Sequence, residues 1–223
     1  MLSVIIPVYN EQAVLRESLS SLPCNHNIEV IVVDGGSADR TREVAGGFPA
    51  RIIEAARNRA RQMNEGAREA RGDIFLFLHA DCRLDNGALK EIARALDKGY
   101  VGGCLSQRIN LNKPIYRIIE RSGNMRAKMF KIFYGDQAIF VRRDIFFKLG
   151  GFDKVDIFED IIFSRKLSRA GKTCVLDKKV YTCGRRWQRQ GIIKATLINW
   201  LLTLGFVLGA PPKALKKLYL DIR

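Results

Sequence analysis

Apolar residues near the start of the chain come in short unbroken runs, over residues 4–8, 28–33 and 74–78, without the alternation of a half-exposed strand. Runs of that kind predict strands buried on both faces, as in a parallel sheet. Between them apolar positions recur at helical spacing. Val14, Leu15, Leu19 and Leu22 share one face of a helix predicted over 11–22, and further helices are predicted over 38–45 and 58–71. Strands alternating with helices predict a doubly wound α/β unit with a mostly parallel sheet flanked by helices. Beyond it the pattern predicts helices over 89–96, 115–132 and 160–170, the last stopped by Gly171, and extended segments over 101–109 and 138–141. Residues 196–209 are almost uncharged. As a helix they would reach about 21 Å, short of the roughly 30 Å hydrocarbon core of a bilayer. That predicts a helix packed in the C-terminal lobe or lying at a membrane interface, not a span.

Polar residues gather where the three runs end: Tyr9, Asn10 and Glu11 after the first, Asp34, Gly35, Gly36 and Ser37 after the second, His79, Ala80 and Asp81 after the third. Turns favour Asp, Gly and Ser for local reasons. In doubly wound folds, however, ligands bind at the carboxyl ends of the strands, and three such clusters converge on one crevice.

Composition excludes a disordered or collagen-like chain, since 47% of the 223 residues are hydrophobic and 27% charged. Five cysteines, at 24, 82, 104, 174 and 183, form no Cys-x-x-Cys pair and are odd in number. Reduced thiols in a cytosolic setting fit them better than a disulfide scaffold or a zinc site. The opening residues 1–7 lack a basic stretch and read as a strand, so no signal peptide is expected. Charge divides the chain more sharply. Residues 1–112 hold 14 Lys and Arg against 14 Asp and Glu, whereas residues 113–223 hold 24 against 9, so the whole net charge of +15 lies in the second half. That half should attract anions, whether nucleic acid, an anionic membrane or a phosphorylated substrate.

The motifs resemble a known family. Ser3-Val4-Ile5-Ile6-Pro7-Val8-Tyr9-Asn10-Glu11, the stretch from Val30 through Asp34-Gly35-Gly36-Ser37 to Thr41, Asn64-x-Gly66-Ala67 leading to Gly72-Asp73, and Leu149-Gly150-Gly151-Phe152 followed by Glu159-Asp160 look like the family 2 inverting glycosyltransferases of GT-A fold. The resemblance spans about residues 1–190. It implies a GT-A-like domain over 1–190, with a nucleotide-sugar half (1–112) and an acceptor half (113–190), followed by a basic helical segment over 191–223 that can associate with a membrane.

By that resemblance Pro7, Tyr9, Asn10, Glu11, Asp34 and Gly36 hold the nucleotide of an activated sugar, a carboxylate at the second strand end accepting hydrogen bonds from base or ribose. Arg61 meets a phosphate or base edge, or else lies on a solvated helix face. The family's Asp-x-Asp element binds a divalent metal that bridges the diphosphate. Here it reads His79-Ala80-Asp81, so Asp81 is the expected ligand and His79 a candidate second one. Magnesium prefers oxygen and manganese tolerates imidazole. Asp160 falls at the position of the general base, which takes the acceptor proton as its oxygen attacks the anomeric carbon. Glu159-Asp160 also suits the first turn of a helix on electrostatic grounds alone. Asp136, Gln137, Glu159, Arg186 and Trp187 are expected to line the acceptor or diphosphate side. Arg185-Arg186-Trp187 resembles part of the Gln-x-x-Arg-Trp element of processive synthases, but Cys183 replaces the glutamine, which argues against a processive polymerase.

The expected activity is a metal-dependent (manganese or magnesium), non-processive inverting sugar transfer from a nucleoside-diphosphate sugar, a UDP- or GDP-sugar, to an acceptor hydroxyl. The basic helix carrying Lys113, Arg117, Arg121 and Arg126 suits a phosphorylated or lipid-linked acceptor. The expected location is cytoplasmic, on the inner face of a membrane. A nucleotidyltransferase that makes activated sugars is a competing reading, but 7–11 lacks the glycine-rich loop such enzymes resemble. A basic module for nucleic acid or an anionic surface also competes, although the aromatics are not interleaved with the basic residues as in a stacking platform, so nucleic acid is not the expected partner. No Gly-x-Gly-x-x-Gly follows any strand, which excludes a dinucleotide-binding dehydrogenase.

Overall fold

The protein is described over residues 1–216 by a computed structural model. Four strands come from the first third of the chain: β1 (Leu2–Val8), β2 (Ile28–Asp34), β3 (Arg51–Glu54) and β4 (Ile74–Phe77). Four follow: β5 (Cys82–Leu84), β6 (Gly102–Ile109), β7 (Ile139–Arg142) and β8 (Thr173–Thr182). Together they make one mixed sheet in the order β3-β2-β1-β4-β7-β6-β8-β5. From β3 to β4 all neighbours are parallel, whereas β7 runs antiparallel to both β4 and β6. The unbroken apolar runs end up as expected. Val4, Ile6 and Val8 face one core and Ile5 the other, so β1 is buried on both sides. Pro7 lies beyond Ile5, the last β1 residue paired with β4, where its missing N–H is not needed on that edge.

Helices cover both faces: α1 (Leu15–Ser20), α2 (Thr41–Gly46), α3 (Arg59–Glu69), α4 (Ala88–Asp97), α5 (Pro114–Phe130), α6 (Arg143–Lys148) and α7 (Glu159–Ala170). The carboxyl-terminal part adds α8 (Arg185–Gln190), α9 (Ile192–Val207) and α10 (Pro212–Lys216). The helix expected over 11–22 is reduced to Leu15–Ser20 because residues 10–12 are used elsewhere. Asn10 has φ +54°, and the Glu11 and Gln12 amides donate to Thr41 Oγ1 and Asp39 Oδ2. In return Ala38 and Arg40 amides donate to Asn10 and Gln12 side chains, so α2 starts at Thr41 and not at 38.

Three strands are not apparent in the sequence. β3 and β5 have four and three residues, and β8 carries Asp177, Lys178 and Lys179 in its middle. A register shift explains the last: Leu105 pairs with Leu176 but Ser106 pairs with Lys179, so 177 and 178 bulge out of the ladder. α3 packs close to the sheet because Gly66 permits it; a Cβ there would stand 2.4 Å from Ile5 and 2.9 Å from Val33 side-chain atoms. On the same face, six phenylalanines (75, 77, 146, 147, 152 and 163) form an edge-to-face and tilted cluster, with the Phe152 and Phe163 ring centroids 4.5 Å apart. It joins β4 to α6 and α7. All five cysteines are free thiols.

Candidate active site

The first two strand ends form one rim. Asn10 N–H donates to Ser37 Oγ (2.9 Å) and Ala38 N–H to Asn10 Oδ1 (2.9 Å). Beneath them Asp34 is fully buried, accepting from both Ser37 N–H (3.1 Å) and Ser37 Oγ (2.5 Å). In this conformation the carboxylate braces the loop that carries Gly36, exposed at φ +86°. Gln62, on α3, is a residue that the sequence did not single out. Its buried amide donates to Val8 and Val33 carbonyls at 2.8 and 2.9 Å, fastening the ends of β1 and β2 together. Tyr9 stands beside the rim with the Arg57 guanidinium 3.9 Å from its ring centroid. Arg61 is exposed on the first turn of α3, where its amide is capped by Asn58 Oδ1 at 3.0 Å.

The third strand end adds an acidic and imidazole pair. Ligand atoms of His79, Asp81 and Cys82 lie within 4.8 Å of one another. Burial pushes the Cys82 thiol well above its usual range, and the Asp81 charge adds to this, so the group stays a neutral thiol. One imidazole and one carboxylate thus stand together, a donor set that fits a divalent cation. Arg185 from α8 reaches the same place. Its Nη2 is 3.0 Å from Glu11 Oε2 and 3.5 Å from Asp81 Oδ2, so one guanidinium ties the first strand end, the third strand end and the C-terminal part together. Arg186 instead donates to Gln190 Oε1 (3.3 Å), and Trp187 Nε1 donates to Thr196 Oγ1 (3.2 Å) while its ring packs edge-on against Tyr116. Of the two adjacent arginines, it is the one that the resemblance did not point to that reaches Asp81.

Across from His79 stands the start of α7. Asp160 Oδ2 accepts the Gly135 N–H at 2.7 Å and Oδ1 accepts the Ile161 N–H at 2.7 Å. Gly135 is wedged between the two sites, since a Cβ there would lie 2.5 Å from His79 Nε2 and 3.5 Å from Asp160 Oδ2. A side chain at this position would have to push the His79 ring aside. Burial raises the Asp160 carboxyl above the usual range, against the opposing pull of the Gly135 amide and Arg59. Its neighbour Glu159 is buried beside Arg59 (3.3 Å), and burial outweighs that cation, lifting it to about 7.

Asp136 completes the wall. One oxygen accepts from Gln107 Nε2 (2.5 Å), while Oδ1 is buried with no hydrogen-bond partner among the described residues. Burial, with added repulsion from Asp160 and Asp81, pushes this carboxyl up to about 6 despite Arg126. Gln137, fully buried, accepts from Tyr134 N–H (3.1 Å) and Arg126 Nη2 (2.9 Å). The basic helix expected to face an anionic acceptor is α5, and two of its cations turn inward. Arg126 holds Gln137, and Arg117 donates to Ile109 and Leu111 carbonyls at 2.8 and 2.6 Å. Lys113 and Arg121 remain exposed. A separate concavity of about 660 Å³ opens near the amino ends of β1 and β2 beside Ser21, Asn27 and Leu89, and is lined by none of these site residues. The polar cluster described above lies instead at the carboxyl ends of these strands.

Known proteins share this arrangement of elements. The sequence model of glycosyl transferase family 2 matches residues 3–153. A probable glycosyltransferase of Bacillus subtilis, YdaM, is 27% identical over 187 residues, covering 71% of this chain and 44% of its own. The GalNAc(5)-diNAcBac-PP-undecaprenol beta-1,3-glucosyltransferase of Campylobacter jejuni is 31% identical over 144 residues, 58% of this chain and 47% of that one. The chain thus matches less than half the length of both relatives. In structure, residues 1–349 of S. aureus TarS, solved with UDP-GlcNAc, superimpose with TM-score 0.62 at 18% identity over 82% of this chain and 58% of that one, a likeness of fold. With the family model spanning both the nucleotide-side strand ends and the glycine turn ahead of α7, this chain belongs to glycosyl transferase family 2.

Proposed function

We propose that this protein is an inverting glycosyltransferase that moves a sugar from a nucleoside-diphosphate donor to an acceptor hydroxyl in one displacement. The observation that carries the reading is the placement of Asp160. A half-buried carboxylate with a raised pKa stands across Gly135 from His79. A base with a pKa above the ordinary carboxylate value is better matched to a hydroxyl proton than an exposed one. In the step, the acceptor oxygen forms the new bond to the anomeric carbon, its proton passes to Asp160, and the bond to the diphosphate oxygen breaks with its electron pair leaving on the nucleotide. A single carboxylate suffices, because no enzyme-bound sugar forms.

The rim of Tyr9, Asn10, Glu11 and Gly36, braced by Pro7 and Asp34, would hold the nucleotide, a UDP- or GDP-sugar, with Arg61 at its outer edge. His79 and Asp81 would hold a manganese or magnesium ion, which when bound supplies positive charge against the departing diphosphate. Arg185 adds a permanent cation at the same end, and Arg186 and Trp187 secure the helix that carries it. On the acceptor side, Glu159 and Gln137 support the wall, and the open Oδ1 of Asp136 can accept from a sugar or acceptor hydroxyl. The Campylobacter relative is named for a diphosphate-undecaprenol substrate. Together with the positive second half, that favours a phosphorylated or lipid-linked acceptor, a peripheral site of action at the cytoplasmic face of a membrane, and a division into a catalytic unit over 1–190 and a helical segment after it.

Calorimetric titration with a panel of nucleoside diphosphates and nucleotide sugars, with and without manganese, tests the donor site. One nucleotide should bind in a metal-dependent way and lose that binding in Asp81→Ala. If no nucleotide binds to the folded protein, the transferase reading of this crevice is wrong.

A further inference from the structure

We infer that the outer face of α9 is a docking surface for an anionic lipid bilayer, on which the helix lies parallel to the membrane plane. The inference deepens the proposed function by naming the surface, but it rests on an observation of its own. α9 is apolar on both sides. Its inner side buries Ala195 and Leu202 and stacks Phe206 on Phe158, with centroids 4.7 Å apart. Its outer side carries Ile193, Leu197, Trp200, Leu201, Leu204 and Leu208, each at least half exposed. Their spacing of three, four and seven residues places them in one stripe along the helix. Single exposed leucines are ordinary, whereas a contiguous stripe that includes a tryptophan marks a surface that meets another apolar phase.

Charge selects which phase. From residue 178 to 216 the chain has eight Lys and Arg and no Asp or Glu. Arg189 and Lys194 are exposed at the amino end of α9. An apolar stripe beside the exposed Arg189 and Lys194 matches the acyl boundary and headgroups of an anionic membrane. Length excludes a span: the 16 residues of α9 would reach about 24 Å against a core of roughly 30 Å. Among the described residues no helix is long and apolar enough to cross a membrane. The other side of the same helix is wired to the catalytic wall. Thr203 Oγ1 is 2.6 Å from Tyr134 OH, next to Gly135, and Phe158 directly precedes Glu159 and Asp160. A bilayer under α9 therefore lies one helix away from the base, where a lipid-linked hydroxyl could reach it.

The test is vesicle co-sedimentation of the full chain with phosphatidylglycerol-containing and phosphatidylcholine-only vesicles at low and high salt. The wild type should bind the anionic vesicles, and bind the neutral ones or the high-salt samples less. Leu201→Glu/Leu204→Glu, both on the exposed stripe, should weaken binding about tenfold or more per site. Arg189→Glu/Lys194→Glu should remove the preference for anionic lipid. Both variants should keep the wild-type circular dichroism and nucleotide titration. Failure of the wild type to sediment with either vesicle overturns the inference, as does undiminished binding by the Leu201→Glu/Leu204→Glu protein. A dimer in solution that the same double variant dissolves would also overturn it, by assigning the stripe to a second copy. Because nucleotide binding is read separately, loss of vesicle binding and loss of the transferase reading are distinguishable.

Discussion

Asp160 and Asp136 stand on the same wall, and their different partners set different expectations. Asp160 uses both oxygens on backbone amides, so an asparagine keeps the size, loses the basicity and can accept from one of the two amides. Asp160→Asn should retain nucleotide affinity within about twofold while transfer falls about 10²–10⁴-fold, read by comparing calorimetry with a turnover assay. Asp136 makes a stability prediction. Its folded pKa of about 6 exceeds the ordinary value of 3.8, so the folded state holds the proton more tightly than the unfolded one. That contribution is complete below the unfolded pKa and is lost as pH rises through about 6, at about 3 kcal/mol for a shift of this size. Thermal unfolding across this range should show stability declining, and Asp136→Asn should flatten the decline; an unchanged slope would deny the shift. Residue identity was legible where a strand ended, as at His79 and Asp81. It was not legible on α8, where neighbours point about 100° apart, and only the fold shows that Arg185 reaches Asp81. Arg59 and Gln62 gave no signal at all, because their partners lie 100 and 54 residues away.

Elements are coupled by few but paired contacts, of which Asn64 is the clearest. On α3, its amide donates to the Phe152 carbonyl (2.8 Å) and its carbonyl oxygen accepts the Phe152 N–H (2.9 Å). The glycine turn before it allows the approach, since a Cβ at Gly151 (φ +71°) would be 2.6 Å from Asn64 Oδ1. Asn64→Ala leaves two half-buried backbone groups without partners. It should cost about 1–3 kcal/mol in denaturant melts and lower turnover more than nucleotide affinity, because the freed loop leads to α7. Equal losses in both would place the effect elsewhere. β1, β2 and β4 were readable from unbroken apolar runs, and the end of α7 from Gly171. The antiparallel β7 insertion, the β8 bulge and the short edge strand β5 depend on long-range pairing, which no local pattern records.

Among the described residues, the two large cores on either side of the sheet contain none beyond Val180. α9 contributes to a third, small cluster with Ile157, Leu202 and Leu215. A chain ending at Gln190 should therefore still unfold in one cooperative transition, lower by no more than about 10 °C. It should bind nucleotide but transfer poorly, since Tyr134 and Phe158 lose their α9 partners; loss of all cooperative melting would show that 1–190 is not a unit. The sum of charge was visible in the sequence, yet its direction was not, because Arg117 and Arg126 of the basic helix spend themselves inward. The six phenylalanines carry one more consequence. They clamp β4 to α6 and α7 from one face, while β4 and β7 are joined edge to edge in the sheet itself. The strands before and after β4 thus share a keel, which resists opening of the described sheet between β4 and β7. Motion that admits and releases ligands is then expected in the loops at the strand ends and not in a swing of one half against the other.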